Sequence, residues 1–236
     1  MSNRELSSQI SVQEEHWIPL SDLMTGLMMF FLLLAITYMV KVEADARKIK
    51  EIAVLYDQLR TDLYTDLKKE FESDLPKWGA ELDRDLTVRF KEPEVLFDTG
   101  KDSLKPKFRL ILDDFFPRYV QILTTPKYKE SIQEIRIEGH TSSVWRVGVS
   151  TENAYFNNMA LSQARTRSAL QYVLGLHPVE DQRSWLRRFL TANGLSSSKL
   201  VLDTSGQENQ ARSQRVEFRV RTDADAKIAK IIESAQ

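Results

Sequence analysis

The chain has 236 residues, 33 Lys+Arg against 34 Asp+Glu and a formal net charge of −1, which leaves no basic field to hold nucleic acid directly. Hydrophobic residues make up 42%, with Gly 8 and Pro 7, so material for a packed core is present and a disordered or collagen-like chain is excluded. Cysteine is absent, which removes disulfides, thiolate metal sites and any cysteine nucleophile.

Residues 1–17 read as a short N-terminal tail. From Ile18 to Val40 the sequence IPLSDLMTGLMMFFLLLAITYMV holds one charged residue, Asp22. As a helix it would be roughly 34 Å long, against a hydrocarbon core of about 30 Å. Its apolar residues lie all round the helix, so 18–40 reads as one membrane span and not as a surface-lying segment. Glu14 and Glu15 ahead of it, with Lys41 and Glu43 behind, favour an uncleaved anchor over a signal peptide. Asp22 has two readings. With Pro19 and Ser21 it can form a first helical turn at headgroup level beside Trp17. Alternatively, an acid whose cost at mid-membrane is about 2.5–3.5 kcal/mol is kept because it takes up and releases a proton. Flanking charge, Arg4 against Lys41, Arg47, Lys48 and Lys50, points by itself to an external N-terminus.

Residues 41–85 read as a charged helical linker, with helix formers unbroken as far as Pro76. Ile49, Ile52, Tyr56, Leu59 and Leu63 keep a 3,4,3,4 spacing, a seam that serves either pairing of two copies or packing on the chain's own domain. From 86 to 222 short strands alternate with amphipathic helices, which predicts an α+β sandwich with helices against one mixed sheet. LTVRF and EVLF are expected as strands, followed by a helix over LKPKFRLILDDFFPRYVQIL that is bent or ended near Pro117. IQEIRIEGH alternates as a strand, LSQARTRSALQYVLGL is an amphipathic helix, and EDQRSWLRRFLTANG is a helix stopped by Gly194. KLVLD and RVEFRV supply the last strands, and 223–236 is a C-terminal tail.

Gly139-His140-Thr141, then Asn158, Leu161, Ser162 and Arg165, then Arg215-Val216-Glu217 resemble in spacing the peptidoglycan-binding domain shared by OmpA and MotB proteins. That resemblance implies an OmpA-like βαβαβ domain and a wall-binding site at Thr141, Ser142, Asn158, Leu161, Arg165 and Arg215. Arg165 offers a planar, permanent cation suited to a stem-peptide carboxylate. Ser142 stands where the family has an Asp that joins the Arg in gripping diaminopimelate, and a hydroxyl cannot ion-pair with an ammonium group. The segment Ser143–Asn157, with Trp145 and Tyr155, is longer than the family loop.

Trp17 followed by SDLMTGLMMFFLLL resembles the single span of MotB-type stator subunits, with Asp22 at the position of the ion-carrying acid. This likeness implies a homodimer within a ring of five MotA-like subunits, in the inner membrane, with a cytoplasmic N-terminus and a periplasmic C-terminal domain, opposite to the charge count. Pro19-Leu20-Ser21 before the acid, Gly26 after it and the Gly-His-Thr-Ser-Ser variant at Gly139–Ser143 are most similar to membrane subunits of Zorya anti-phage defence motors. A MotA-like (ZorA-like) partner is thereby implied, with cytosolic defence effectors reached indirectly. A flagellar stator subunit and a purely structural envelope anchor are the alternatives. His16, His140 and His177 show no metal-ligand spacing, and no phosphate loop or nucleophile motif occurs, so neither cofactor, metal nor catalytic residue is expected.

Overall fold

The computed structural model describes residues 3–91 and 93–223. The chain divides into two compact units, Met1–Ile52 and Ala53–Gln236. Helix α1 (Asn3–Phe71) supplies most of the first unit. Within it Leu20–Arg47 is long and apolar enough to cross a membrane, and none of that surface is buried against protein. Thr25 and Thr37 donate their hydroxyls to the carbonyls of Ser21 (2.8 Å) and Leu33 (3.0 Å), so these two hydroxyls are satisfied without water.

In the second unit the end of α1 carries a buried stripe, Leu63, Leu67 and Phe71, one residue per turn. The expected linker is therefore split. Leu63, the last seam residue, lies in the core of its own domain and Leu59 packs against that core, while the side chains of Ile52 and Tyr56 lie outside the described residues. Strands β1 (Ala80–Leu82) and β2 (Thr87–Phe90) follow, then the short helix α2 (Pro93–Leu96), α3 (Pro106–Leu123), β3 (Ile132–His140) and α4 (Thr151–Gly175). After α5 (Arg183–Phe189) come β4 (Leu190–Gly194), the single turn α6 (Gln210–Ser213) and β5 (Arg215–Thr222).

The sheet order is β1-β2-β5-β3-β4. Only β3 and β4 run parallel, across the crossover that contains α4 and α5. The α+β class read from the sequence is the observed one. Phe115 of α3 packs 5.3 Å from the rings of Phe71, Phe90 and Phe218, so one aromatic ring ties α1, α3 and two strands together.

Several local expectations differ from the structure. EVLF is not a strand: Pro93–Leu96 is helical, with proline suited to a first helical position, and only Phe97 makes an isolated bridge, to Leu104. KLVLD likewise reduces to a single bridge between Leu202 and Glu208. Helix α3 is not ended at Pro117, because Phe115, Phe116, Tyr119 and Val120 around it are all buried and their packing outweighs the roughly 3 kcal/mol cost of an interior proline. The expected helix EDQRSWLRRFLTANG breaks at Phe189, and Leu190–Gly194 pairs with β3 instead. Helix α4 begins at Thr151, inside the segment read as a long loop, with Ser150 accepting from the Asn153 amide as its cap.

Candidate functional site

Gly139 and Gly194 are register partners across the β3–β4 ladder. A Cβ at Gly139 would lie 2.7 Å from Thr166 Cγ2 and 2.9 Å from the Ser162 carbonyl, and one at Gly194 would lie 2.3 Å from the Gln163 nitrogen. The paired glycines thus let α4 sit directly on the sheet at Ser162–Thr166. That close approach brings the first turns of α4 beside the loop leaving β3. Ser162 Oγ accepts from the Ser196 amide (3.1 Å), and the Thr141 amide donates to the Ser196 carbonyl (2.9 Å), which fixes the loops after β3 and β4 together.

A cleft of about 500 Å³ opens there. It gathers five of the six expected wall-binding residues: Thr141, Ser142, Asn158, Leu161 and Arg165. Val144, Trp145 and Arg146 also line it. Sequence spacing did not single out Arg146 or Val144, although Trp145 in a polar loop was a visible signal. Asn158 is buried, and its amide nitrogen donates to the carbonyls of Ser142 (3.0 Å) and Val144 (3.4 Å). Its amide is spent on shaping the loop that forms one wall.

Arg165 is 8% exposed. Nε donates to the Lys101 carbonyl (2.9 Å) and one terminal nitrogen to the Asp98 carbonyl (3.1 Å), while the guanidinium lies 4.9 Å from the centroid of the Phe97 ring. Burial lowers its pKa, with only the charge of Asp102 acting the other way. Among the described residues it makes no ion pair. Buried charge without a counter-charge is costly, and a guanidinium left so at the wall of an open cleft is a ready receptor for an anion.

Arg215 does not line this cleft but shares a small neighbouring cavity with Arg165 and His140. Its Nε donates to Glu217 (2.7 Å) and one terminal nitrogen donates to the carbonyls of both Ser213 (3.0 Å) and Lys199 (3.2 Å). Glu217 also accepts from Arg89 at 2.7 Å. Opposite it on β3 stands Glu138, and His140 Nε2 lies 3.6 Å from Glu217 and 3.9 Å from Glu138. Burial alone would raise the Glu217 carboxyl, but nearby His140, Arg89 and Arg215 outweigh it and hold it well below the carboxylate range. Burial also lowers His140, helped by Arg215 and opposed by the two glutamates. The ligating atoms of Glu138, His140 and Glu217 lie within 4.8 Å of one another, a convergence that sequence spacing did not reveal. Glu217 is already held by two guanidinium groups, with Arg219 and Arg136 flanking the pair. These donors form a charge-matched network on the central strands, because a dication would have to displace arginine.

Asp22 lies on the exposed surface of the apolar helix, in the other compact unit.

The chain is 50% identical over 220 residues, 93% of its own length and 93% of the relative's, to Zorya protein ZorB of Escherichia coli strain Crooks. No family model matches it. Among solved structures, it is similar to a putative MotB-like protein from Desulfovibrio vulgaris, with 24% identity over 72% of this chain and 98% of that one, at a TM-score of 0.49. The cell-wall anchor of the type VI secretion system from Pseudomonas aeruginosa aligns with 66% of this chain and 96% of its own at 20% identity and a TM-score of 0.45.

Proposed function

This chain belongs to the family of Zorya protein ZorB, and from that premise we propose that it is an inner-membrane stator subunit of a proton-driven rotary motor acting in anti-phage defence. Two copies sit within a ring of MotA-like (ZorA-like) subunits, with the N-terminus in the cytoplasm and the C-terminal body in the periplasm, held to peptidoglycan. Asp22 carries the proton. The observation that carries the motor reading is that Asp22 is the only charged residue between 18 and 40, and that no part of the described protein covers the apolar helix from 20 to 40. A neutral acid can face an apolar ring and the ionised form needs water or a polar partner, so protonation is coupled to position. Each proton that crosses supplies about 2.3 kcal/mol per 100 mV.

The anchor reading rests on the buried, unpaired guanidinium of Arg165 in the cleft. Thr141, Ser142, Asn158 and Leu161 line the same cleft, and Arg215 borders a small cavity next to it with Arg165.

In cells carrying the whole system, Asp22→Asn should abolish protection from phage while the membrane complex still assembles. Protection left intact in that variant would leave a structural anchor and remove the proton-carrying role. The full-length protein in detergent should sediment with bacterial sacculi, and Arg165→Ala should reduce that retention by roughly tenfold or more, the loss of a hydrogen-bonded charge.

A further inference from the structure

The residues that line the cleft include two arginines, Arg146 and Arg165, and no acid. Two of the carboxylates near its rim, Asp98 and Glu208, are already engaged. Asp98 is paired with Lys101 (3.6 Å) and Lys105 (3.3 Å). Glu208 accepts from the Ser143 amide (3.0 Å) with one oxygen and from the Ser143 hydroxyl with the other. The hydroxyl of Ser142 is turned to the Val144 carbonyl at 3.4 Å. Asp102 is exposed and does not line the cleft, and its charge acts on Arg165 without a hydrogen bond.

The end of a peptidoglycan stem carries both a carboxylate and an amine. A charged ammonium drawn into a partly dry cleft needs an anion or several strong acceptors to offset its lost hydration. Here the carboxylate half of such a ligand meets a matched partner in Arg165 and the ammonium half meets no carboxylate among the lining residues. We infer that the cleft recognises the stem through its carboxylate alone and does not read the neighbouring amine. Stems whose side-chain amine is acylated in a cross-link are then bound as well as free stems, so the protein holds mature, cross-linked wall. Trp145 and Leu161 offer apolar surface along which the uncharged part of such a ligand can lie. This inference rests on the wall-anchor reading above.

The test is competition for retention of the full-length protein on sacculi, using three soluble probes. They are meso-diaminopimelate, its N,N′-diacetyl derivative, and pimelate, which has the same seven-carbon dicarboxylate chain and no amine. The expected result is that all three compete within about threefold of one another, because each keeps the carboxylate and none gains an ion pair from an amine. A preference of about tenfold or more for diaminopimelate over both other probes overturns the inference, since that is the value of one charge-assisted contact. If Glu208→Gln then removes that preference, Glu208 is the carboxylate that reads the amine. Failure of the anchor reading looks different: no probe competes, Arg165→Ala is retained as well as the unaltered protein, and both conclusions fall together.

Discussion

At the scale of single residues, the site is a consequence of two side chains that are missing. Gly139 and Gly194 face each other across parallel strands, and α4 lies where their Cβ atoms would be. Gly194→Ala would press a methyl against the Gln163 backbone, which has no rotamer to yield, and should destabilise the domain by about 1–3 kcal/mol. A fall in thermal midpoint would show this, and loss of wall retention below that midpoint would show that α4 had shifted with Arg165 on it. The residue spacing around Leu161 and Arg165 already pointed to a binding helix. The roles of individual residues were less legible. Asn158, besides lining the cleft, clamps the Ser142–Val144 loop, and Arg215 also reaches the Lys199 carbonyl, because hydrogen-bond partners 14 to 16 residues away have no signature in spacing.

At the scale of elements, the end of α1 is a part of the C-terminal fold. Leu63, Leu67 and Phe71 are fully buried, and Arg118 of α3 reaches across to Glu70 (2.7 Å) and Asp74 (3.1 Å) while lying over the Phe71 ring. Leu67→Ala should therefore cost about 2–5 kcal/mol, as for a leucine lost from a core, and chemical denaturation should report it as an earlier midpoint with an unchanged slope. An unchanged midpoint would mean that this stretch is a free linker. Helix and strand identity was legible where periodicity ran long, as in α3, α4 and β3. It failed for EVLF, KLVLD and LTANG, where short apolar runs suit either state and a distant partner decides. LTANG becomes β4 because the edge of β3 is there to receive it.

The paired strands β3 and β5 also set a pH dependence. Glu217 is held below, and His140 below, their ordinary values, so the unfolded chain takes up protons that the folded chain does not. Stability should thus fall as pH drops, first below the free-histidine value of about 6.5 through His140 and then below about 4.3 through Glu217. His140→Gln should flatten the upper part of the curve measured by thermal unfolding between pH 7 and pH 5.5, and a slope unaltered by that change would remove His140 as its source.

For the whole molecule, the net charge of −1 averages over an apolar helix and a C-terminal body of mixed charge, and so says nothing of which side of a membrane the body occupies. Lys41, Arg47, Lys48 and Lys50 after the span outnumber Arg4 before it, a bias that would keep the C-terminal side in the cytoplasm. That bias governs short loops of up to about 60 residues, whereas long domains translocate largely regardless of charge. The segment after the span is far longer than that, and Arg47 is already paired with Glu43 at 2.5 Å. The wall-binding role proposed for the cleft would also have no ligand in the cytoplasm. Because the chain has no cysteine, single cysteines report the orientation without background. Thr204→Cys, in an exposed turn, should react with a membrane-impermeant maleimide in intact spheroplasts, and Ser7→Cys should react only after the membrane is opened. The reverse pattern would put Arg165 on the side without peptidoglycan, and the anchor would have to be sought in another ligand.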